Sequence, residues 1–353
     1  MNSIQQARYE QLSAMLAEST AATGTLGAVV AIRDGDGAWY HLASGQRTPA
    51  ETQPPRGNGW FPIFSITKTV VATACLRFFA AKGIALSTPL RHWYPHPRIA
   101  PEVTLHALLN HTSGLPDYAE LEAYHAAVRA APGTPWKTAQ ILQLAFDQGR
   151  WGAIGAWRYS NPNYWLLGAI LERESGQALA DVLRDWVFAP AGISELVYPP
   201  TPYQCEPTFS AYLSDSDAEI EASALYNTAW AGPAGAVIGT APGIASLLIA
   251  LCETDLLTQA QRETMLQSVP IPGNHPAEMS IGAGCGIFVQ AVAGLGRLVG
   301  HGGGGPGCHT LVKYALEQRI AGAAIVNNER IDPDRLLFPL LRRLMSEPTC
   351  GGG

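Results

Sequence analysis

The chain of 353 residues has few cysteines, no cluster of cationic residues and no long uninterrupted apolar run. Its six cysteines are dispersed without a Cys-x-x-Cys pair, which excludes a disulfide scaffold and fits a reducing compartment. The formal net charge is -6, and nucleic acid is not expected as a partner because phosphate binding needs clustered Lys and Arg. The charge-free stretch 222–252 is interrupted by Pro233 and Pro242. It predicts a buried turn, a short strand and a core helix, and no membrane partner is expected.

Several catalytic signatures are also missing. No Gly-x-Ser-x-Gly elbow occurs, which disfavours the α/β-hydrolase class. The nine histidines are dispersed and form no His-Glu-x-x-His pattern, so neither a metal nor another cofactor is expected. At the N-terminus, Ile4, Ala7 and Leu12 recur at helical spacing without a cationic start. This pattern predicts an amphipathic helix and not a signal peptide, and therefore a cytoplasmic location.

What the chain does have is the composition of a compact globular enzyme, with 47% hydrophobic and 15% charged residues. Two strands are predicted at 27–32 and 38–43, joined by a hairpin turn at 34–37. From residue 65 to about 225 the periodicity is mainly helical. Four strands and a closing helix are predicted near the C-terminus, at 286–292, 296–300, 310–314, 321–327 and 336–345. A sheet built from both ends of the chain around a helical insertion predicts an α+β fold.

Ser65 and Lys68 are the most informative pair in the sequence. Three residues apart, they fall on one face of a helix that begins after Gly59 and Pro62. A desolvated lysine can take the proton of a serine and activate it as a nucleophile. The spacing alone also fits a helix-capping serine followed by a solvated lysine.

A second group is Tyr159-Ser160-Asn161, in a loop before a helix that begins near Tyr164. A tyrosine close to a lysine ammonium can relay protons, because the positive charge is expected to lower the pKa of its phenol. Asn161 can donate and accept, which suits a substrate amide. Taken by itself, the segment also fits a simple turn.

A third group is the glycine run that begins at His301 and follows a predicted strand. Glycines allow close approach of a backbone to a ligand. A phosphate loop is one interpretation, although the Lys-Ser/Thr ending is missing. A hinge is another. The third is an edge strand whose amides line a pocket, with His301 beside the nucleophile.

Taken together and in this order, the three groups resemble the motifs of the serine β-lactamase and penicillin-binding-protein superfamily. The resemblance is strongest to its class C β-lactamase, D,D-carboxypeptidase and esterase branch. The flanking segments 108–115 and 231–235 are similar too, and the resemblance covers roughly residues 5 to 345. It implies a β-lactamase/transpeptidase-like α+β fold with an antiparallel sheet flanked by helices. One lobe would comprise 1–64 and 235–353, a mainly helical lobe 65–234, and the site would lie between them.

The resemblance also implies roles for individual residues. Ser65 would be the acylated nucleophile, with Lys68 and Tyr159 sharing the proton transfers. Asn161 would hold the substrate. His111 and Ser113, in the flanking segment 108–115, would support the site and would not act as a second catalytic pair.

On the glycine run, the resemblance implies an oxyanion hole. It would be formed by the backbone N–H groups of Ser65 and of Gly304, the residue after Gly303. His301 stands where β-lactamases have a lysine, and Gly302 offers no hydroxyl. A substrate carboxylate needs a cation and a hydroxyl there, so weak or no β-lactamase activity is expected.

Three functions remain open. The first is a serine hydrolase that cleaves a small ester or amide, of esterase or D-amino-acid peptidase or amidase type, through an acyl-Ser65 intermediate. The second is a transacylase of the same fold that passes the acyl group to an amine or alcohol. The third is a non-catalytic binding protein, which the joint presence of Ser65, Lys68, Tyr159 and His301 disfavours.

Overall fold

A computed structural model describes residues 2–131, 134–198, 212–215, 218–221, 231–273, 275 and 279–346. The chain opens with helix α1 (Ser3–Thr23), capped by Asn2 and ended by Gly24 in the left-handed conformation. Strands β1 (Gly27–Arg33) and β2 (Trp39–Gly45) follow as the predicted hairpin. Cys205 and Cys350 lie outside the described residues.

The main sheet has eight strands, all antiparallel, in the order β2-β1-β13-β12-β11-β10-β9-β8. Its C-terminal strands are β8 (Val269–Pro270), β9 (Met279–Ala283), β10 (Phe288–Val292), β11 (Gly296–Gly305), β12 (Cys308–Ala315) and β13 (Ile320–Val326). Because β1 pairs with β13 from Ala28–Val326 to Arg33–Ala321, both ends of the chain build one sheet. The predicted α+β fold class is confirmed.

Helices cover both faces of this sheet. On one face lie α1 and the closing helix α10 (Asp334–Met345), and on the other lies α8 (Ala241–Glu253). Along β1 the side chains alternate between the two faces, with Val30 and Ile32 in the α1–α10 layer and Val29 in the larger core. The larger core continues into the helical part of the chain.

The helical part surrounds the buried helix α2 (Thr67–Lys82). Its other helices are α3 (Leu105–Leu109), α4 (Glu122–Ala130), α5 (Thr138–Gln148), α6 (Pro162–Ser175), α7 (Leu179–Leu183) and α9 (Gln259–Leu266). Small sheets pair β3 (Phe61–Pro62) and β4 (Leu196–Val197) with β7 (Ile238–Gly239), and β5 (Tyr212–Asp215) with β6 (Ala218–Glu221). The domain boundaries at 64/65 and 234/235 stay a prediction.

Two sequence-based expectations for the sheet were incomplete or wrong. Strands β8 and β9 were not predicted, and β8 has only two residues, of which the second is Pro270. Strand β11 is not an edge strand, since β10 and β12 flank it. However, its pairing with β10 stops at Gly300. Among the described residues, His301–Gly305 is therefore paired only with β12.

Candidate active site

Ser65 lies in a single 3-10 turn, Phe64–Ile66, that leads directly into α2. The turn begins with a backbone constraint, because Phe64 has a φ of 46°. The backbone N–H of Val237 donates to Thr67 Oγ1 at 3.0 Å, which fixes the start of α2. The serine therefore stands at the junction of a strained turn and a buried helix.

Lys68 is the direct partner of Ser65. Its Nζ donates to Ser65 Oγ at 3.0 Å and to the carbonyl oxygen of Ala234 at 2.7 Å. The side chain is fully buried. Desolvation lowers the pKa of Lys68 to about 7, although the negative charge of Asp117 opposes the shift. A sizeable fraction of the amine is therefore neutral near pH 7 and able to accept a proton.

Tyr159 contacts the same serine. Its phenol forms a hydrogen bond with Ser65, and Lys68 Nζ lies 4.9 Å from the centre of its ring. The expectation of a lowered pKa was wrong. Desolvation and the charge of Asp117 raise the pKa of Tyr159, and the hydrogen bond from Ser65 offsets this only in part. The phenol therefore keeps its proton at neutral pH and can donate it.

Asn161 is held by a residue that sequence reasoning missed. Its Nδ2 donates to both carboxylate oxygens of Asp117, at 3.1 Å and 3.0 Å. Asp117 is 5% exposed and also caps the turn Tyr118–Glu120 by accepting from Ala119 N–H at 3.1 Å. The only local signal was the Pro116-Asp117 dipeptide, which indicates a turn and not its place in the fold.

His111 and Ser113 support the Tyr159 segment. The ring of His111 stacks on that of Tyr159 with centroids 4.4 Å apart, and its Nδ1 accepts from Ser160 N–H at 3.1 Å. Ser113 Oγ donates to Asn163 Oδ1 at 2.7 Å. Burial lowers the pKa of His111 well below its usual range, aided by the charge of Lys68. These contacts agree with the structural role expected for both residues.

The glycines of β11 let the Ser65 turn lie directly on the strand. A Cβ at position 303 would lie 2.3 Å from the carbonyl oxygen of Ile63, and one at 305 would lie 2.1 Å from the Phe64 ring. Thr310 Oγ1 on β12 lies 3.2 Å from both the Ile63 and the Gly303 carbonyl oxygens. The segment that carries Gly303 and Gly304 thus lies beside the Ser65 turn.

His301 is a neutral residue of the same strand. Its Nδ1 donates to the carbonyl oxygen of Gly302 at 2.5 Å, and its ring lies 4.7 Å from that of Phe288 and 6.4 Å from that of Tyr159. Burial, assisted by the charge of Lys68, lowers the pKa of His301 to about 3. The partial charge expected at neutral pH is therefore absent. At Gly302 a Cβ would meet nothing closer than 3.6 Å, so packing does not require a glycine at this position.

Two other properties concern the described residues alone. No group of three or more His, Cys, Asp or Glu side chains with metal-binding proximity occurs among them. Within the same set, the helical segment Phe64–Lys82 is long and apolar enough to cross a membrane, yet 78% of its apolar window is buried inside the protein. That segment carries Ser65 and Lys68, so its apolar character belongs to the core around the site.

Comparison with known proteins assigns the chain to a family. The beta-lactamase family model matches residues 12–344. The chain belongs to the beta-lactamase family. The predictions of a β-lactamase-like superfamily member and of a serine hydrolase are confirmed at this level.

Individual relatives of this family member differ in their named activities. Penicillin-binding protein 4* of Bacillus subtilis is 28% identical over 324 residues, which are 86% of this chain and 68% of the relative. A D-aminopeptidase of Cereibacter sphaeroides is 26% identical over 303 residues, 86% of this chain and 55% of the relative. The chain thus spans only about half to two thirds of these relatives' length.

A solved structure of a D-stereospecific amidohydrolase from Streptomyces sp. superposes with a TM-score of 0.82 at 25% identity. The match covers 92% of this chain and 97% of that one. The fold of this family member is therefore shared along nearly its whole length.

Proposed function

We propose that the protein hydrolyses a small ester or amide through an acyl-Ser65 intermediate. One observation carries the proposal. A fully buried amine, Lys68 Nζ, lies 3.0 Å from Ser65 Oγ and has a pKa of about 7. A binding protein has no need of a desolvated base on a serine hydroxyl, and burying it costs stability.

In the first half-reaction, Ser65 Oγ attacks the substrate carbonyl carbon while its proton passes to neutral Lys68. The carbonyl oxygen gains the negative charge, and backbone N–H groups of Ser65 and Gly304 are proposed to stabilise it. The leaving group takes a proton from the phenol of Tyr159, which is hydrogen-bonded to Ser65. The Lys68 ammonium then returns a proton to Tyr159. Water then attacks the acyl carbon and gives up a proton to Lys68. The bond between that carbon and Ser65 Oγ breaks, the acid leaves, and the proton passes from Lys68 to Ser65 Oγ to restore the hydroxyl.

The strand opposite Ser65 supports a substrate without a carboxylate. Neutral His301 offers no cation and Gly302 no hydroxyl, so a β-lactam carboxylate would be desolvated without compensation. Two relatives are named as a D-aminopeptidase and a D-stereospecific amidohydrolase. We therefore propose amides and esters of D-amino acids as the substrate class.

Labelling tests the nucleophile. A fluorophosphonate should add one adduct to the protein by intact mass, and Ser65→Ala should abolish it. Ser175→Ala removes a partly exposed serine hydroxyl at the end of α6 and should label as the parent does. An adduct that persists in Ser65→Ala would refute the assignment.

A substrate panel tests the class. D-Phenylalanine amide and its methyl ester should be hydrolysed faster than the L-forms, and benzylpenicillin should leave no lasting mass adduct. A stable penicilloyl adduct would contradict the argument from His301 and Gly302. A transacylase, which passes the acyl group to an amine or alcohol, would share the first half-reaction. The ratio of amide product to free acid in the presence of an added amine distinguishes acyl transfer from hydrolysis.

A further inference from the structure

Asp117 makes more contacts with the site than a turn cap requires. Its two carboxylate oxygens each accept a hydrogen bond from Asn161 Nδ2, and one of them also accepts from the backbone N–H of Ala119. Only 5% of the residue is exposed. Burial raises the pKa of the Asp117 carboxyl, and these N–H donors together with the charge of Lys68 oppose that rise and favour the charged form.

These bonds determine which end of the Asn161 amide faces the cleft. A carboxylate only accepts, so the NH2 group must point at Asp117 and the carbonyl oxygen Oδ1 must point away from it. Asn161 is partly exposed, and its Oδ1 has no hydrogen-bond partner in the part of the chain that the structure describes. Asn161 therefore presents an acceptor, which suits an N–H group of the substrate.

Asp117 is also the negative group that acts on Lys68. Among the described residues, His111 and His301 also interact electrostatically with this amine, and both are buried with lowered pKa values. The rings of Tyr159 and Tyr164 lie 4.9 Å and 5.7 Å from its Nζ. A fixed negative charge favours the ammonium that forms when Ser65 gives up its proton.

We propose that Asp117 is a positioning residue with two effects: it turns the Asn161 carbonyl oxygen toward substrate N–H groups, and it stabilises the Lys68 ammonium formed during acylation. The second effect rests on the proposed function of Lys68. The first makes the site selective for substrates that carry an N–H donor, whichever residue is the base.

The charge effect is tested by the pH profile of kcat/KM for p-nitrophenyl acetate, which has no N–H group. Without the negative charge, Lys68 loses its proton more readily, so in Asp117→Asn the acid limb should move to lower pH. Asn161→Ala keeps the charge and should keep the limb in place. An Asp117→Asn limb at the parent pH would overturn this effect.

The orientation effect is tested with D-phenylalanine amide beside the acetate ester. Asn161→Ala and Asp117→Asn should each lower kcat/KM for the amide roughly tenfold more than for the ester, as expected for one lost hydrogen bond to a buried group. The double variant should lose little more than either single one, because both act through the same amide. Equal losses on both substrates, or full additivity, would overturn it.

Folding is kept separate from function. Asp117→Ser retains an acceptor for the Ala119 N–H and removes the negative charge. It replaces Asp117→Asn in the experiment if that variant does not fold, and the same shift of the acid limb to lower pH is expected. Labelling of Ser65 by the fluorophosphonate should persist in every Asp117 variant. Loss of labelling in Ser65→Ala with no Asp117 effect would leave the proposed function standing and overturn this inference alone.

Discussion

Lys68 and Lys313 are two buried lysines with opposite surroundings. Each is at most 3% exposed, and desolvation lowers the pKa of each. Lys313 lies on β12 and donates to the side-chain oxygen of Gln290. The negative charges of Asp334 and Asp332 favour its ammonium form. Lys68 instead donates to a serine hydroxyl.

The difference shows that a perturbed lysine is not by itself a catalytic one. Burial acts on both amines, but of the two only Lys68 has a serine hydroxyl within hydrogen-bond distance and a tyrosine phenol on the same hydroxyl. Lys313 has carboxylates to balance its charge inside the sheet layer covered by α10. Matched substitutions of the two lysines therefore separate chemistry from stability.

The largest effect is expected from Lys68→Met, which retains most of the buried stem and removes the amine. Because Lys68 is the amine that accepts the Ser65 proton in the proposed mechanism, kcat for an activated ester should fall roughly 10²–10⁴-fold with little change in KM. Steady-state kinetics measure this, and circular dichroism verifies the fold. A kcat within tenfold of the parent would remove Lys68 from the mechanism.

A smaller effect is expected from pH. Only neutral Lys68 can accept the serine proton, so kcat/KM should fall about tenfold per unit below its pKa of about 7 and level off above it. A profile of kcat/KM from pH 5 to pH 9 measures the limb. Lys313→Met should keep that limb, and a limb that moves with Lys313 would show that the comparison assigns the wrong lysine.

The smallest effect on activity is expected from Lys313→Met. Loss of its contacts with Gln290 and of its charge near Asp334 should lower the free energy of unfolding by about 1–3 kcal/mol. Leu311 and Ala315, two residues either side of Lys313 on β12, pack in the α1–α10 layer, which places Lys313 on that face of the sheet. The value of kcat/KM should therefore stay within about threefold. Urea unfolding together with kinetics tests this, and a stable but inactive variant would be the contrary result.

Much of the fold was visible in the sequence because its signals are local. The Asp34–Gly37 turn predicts the first hairpin, and Gly176 marks the end of α6. Strand β8 was missed because two residues that end at Pro270 carry no periodicity, and the five residues of β9 include Gly282, which weakens a strand pattern. The longer extent of β11 was missed because glycine has no strand preference of its own.

The residues of the site also differ in how far the sequence alone identifies them. Ser65, Lys68 and Tyr159 stand in recognisable motifs, and the structure brings their side chains together. Asp117 stands in none, since its importance comes from lying against Asn161, 44 residues along the chain. The direction of the Tyr159 pKa was also inaccessible, because desolvation depends on the completed tertiary structure.

The contact of Thr310 with the carbonyl oxygen of Ile63 joins residues 247 positions apart, and Asn327 Oδ1 accepts from Gly27 N–H across 300. Ser65, the proposed nucleophile, is therefore synthesised long before the strand that shapes its surroundings. Contacts between residues so far apart in the sequence slow folding, because a long loop must close before they form. The surroundings of Ser65 are therefore complete only when the last strands have joined the sheet. Recovery of esterase activity during refolding should thus report completion of the sheet and not formation of the helices.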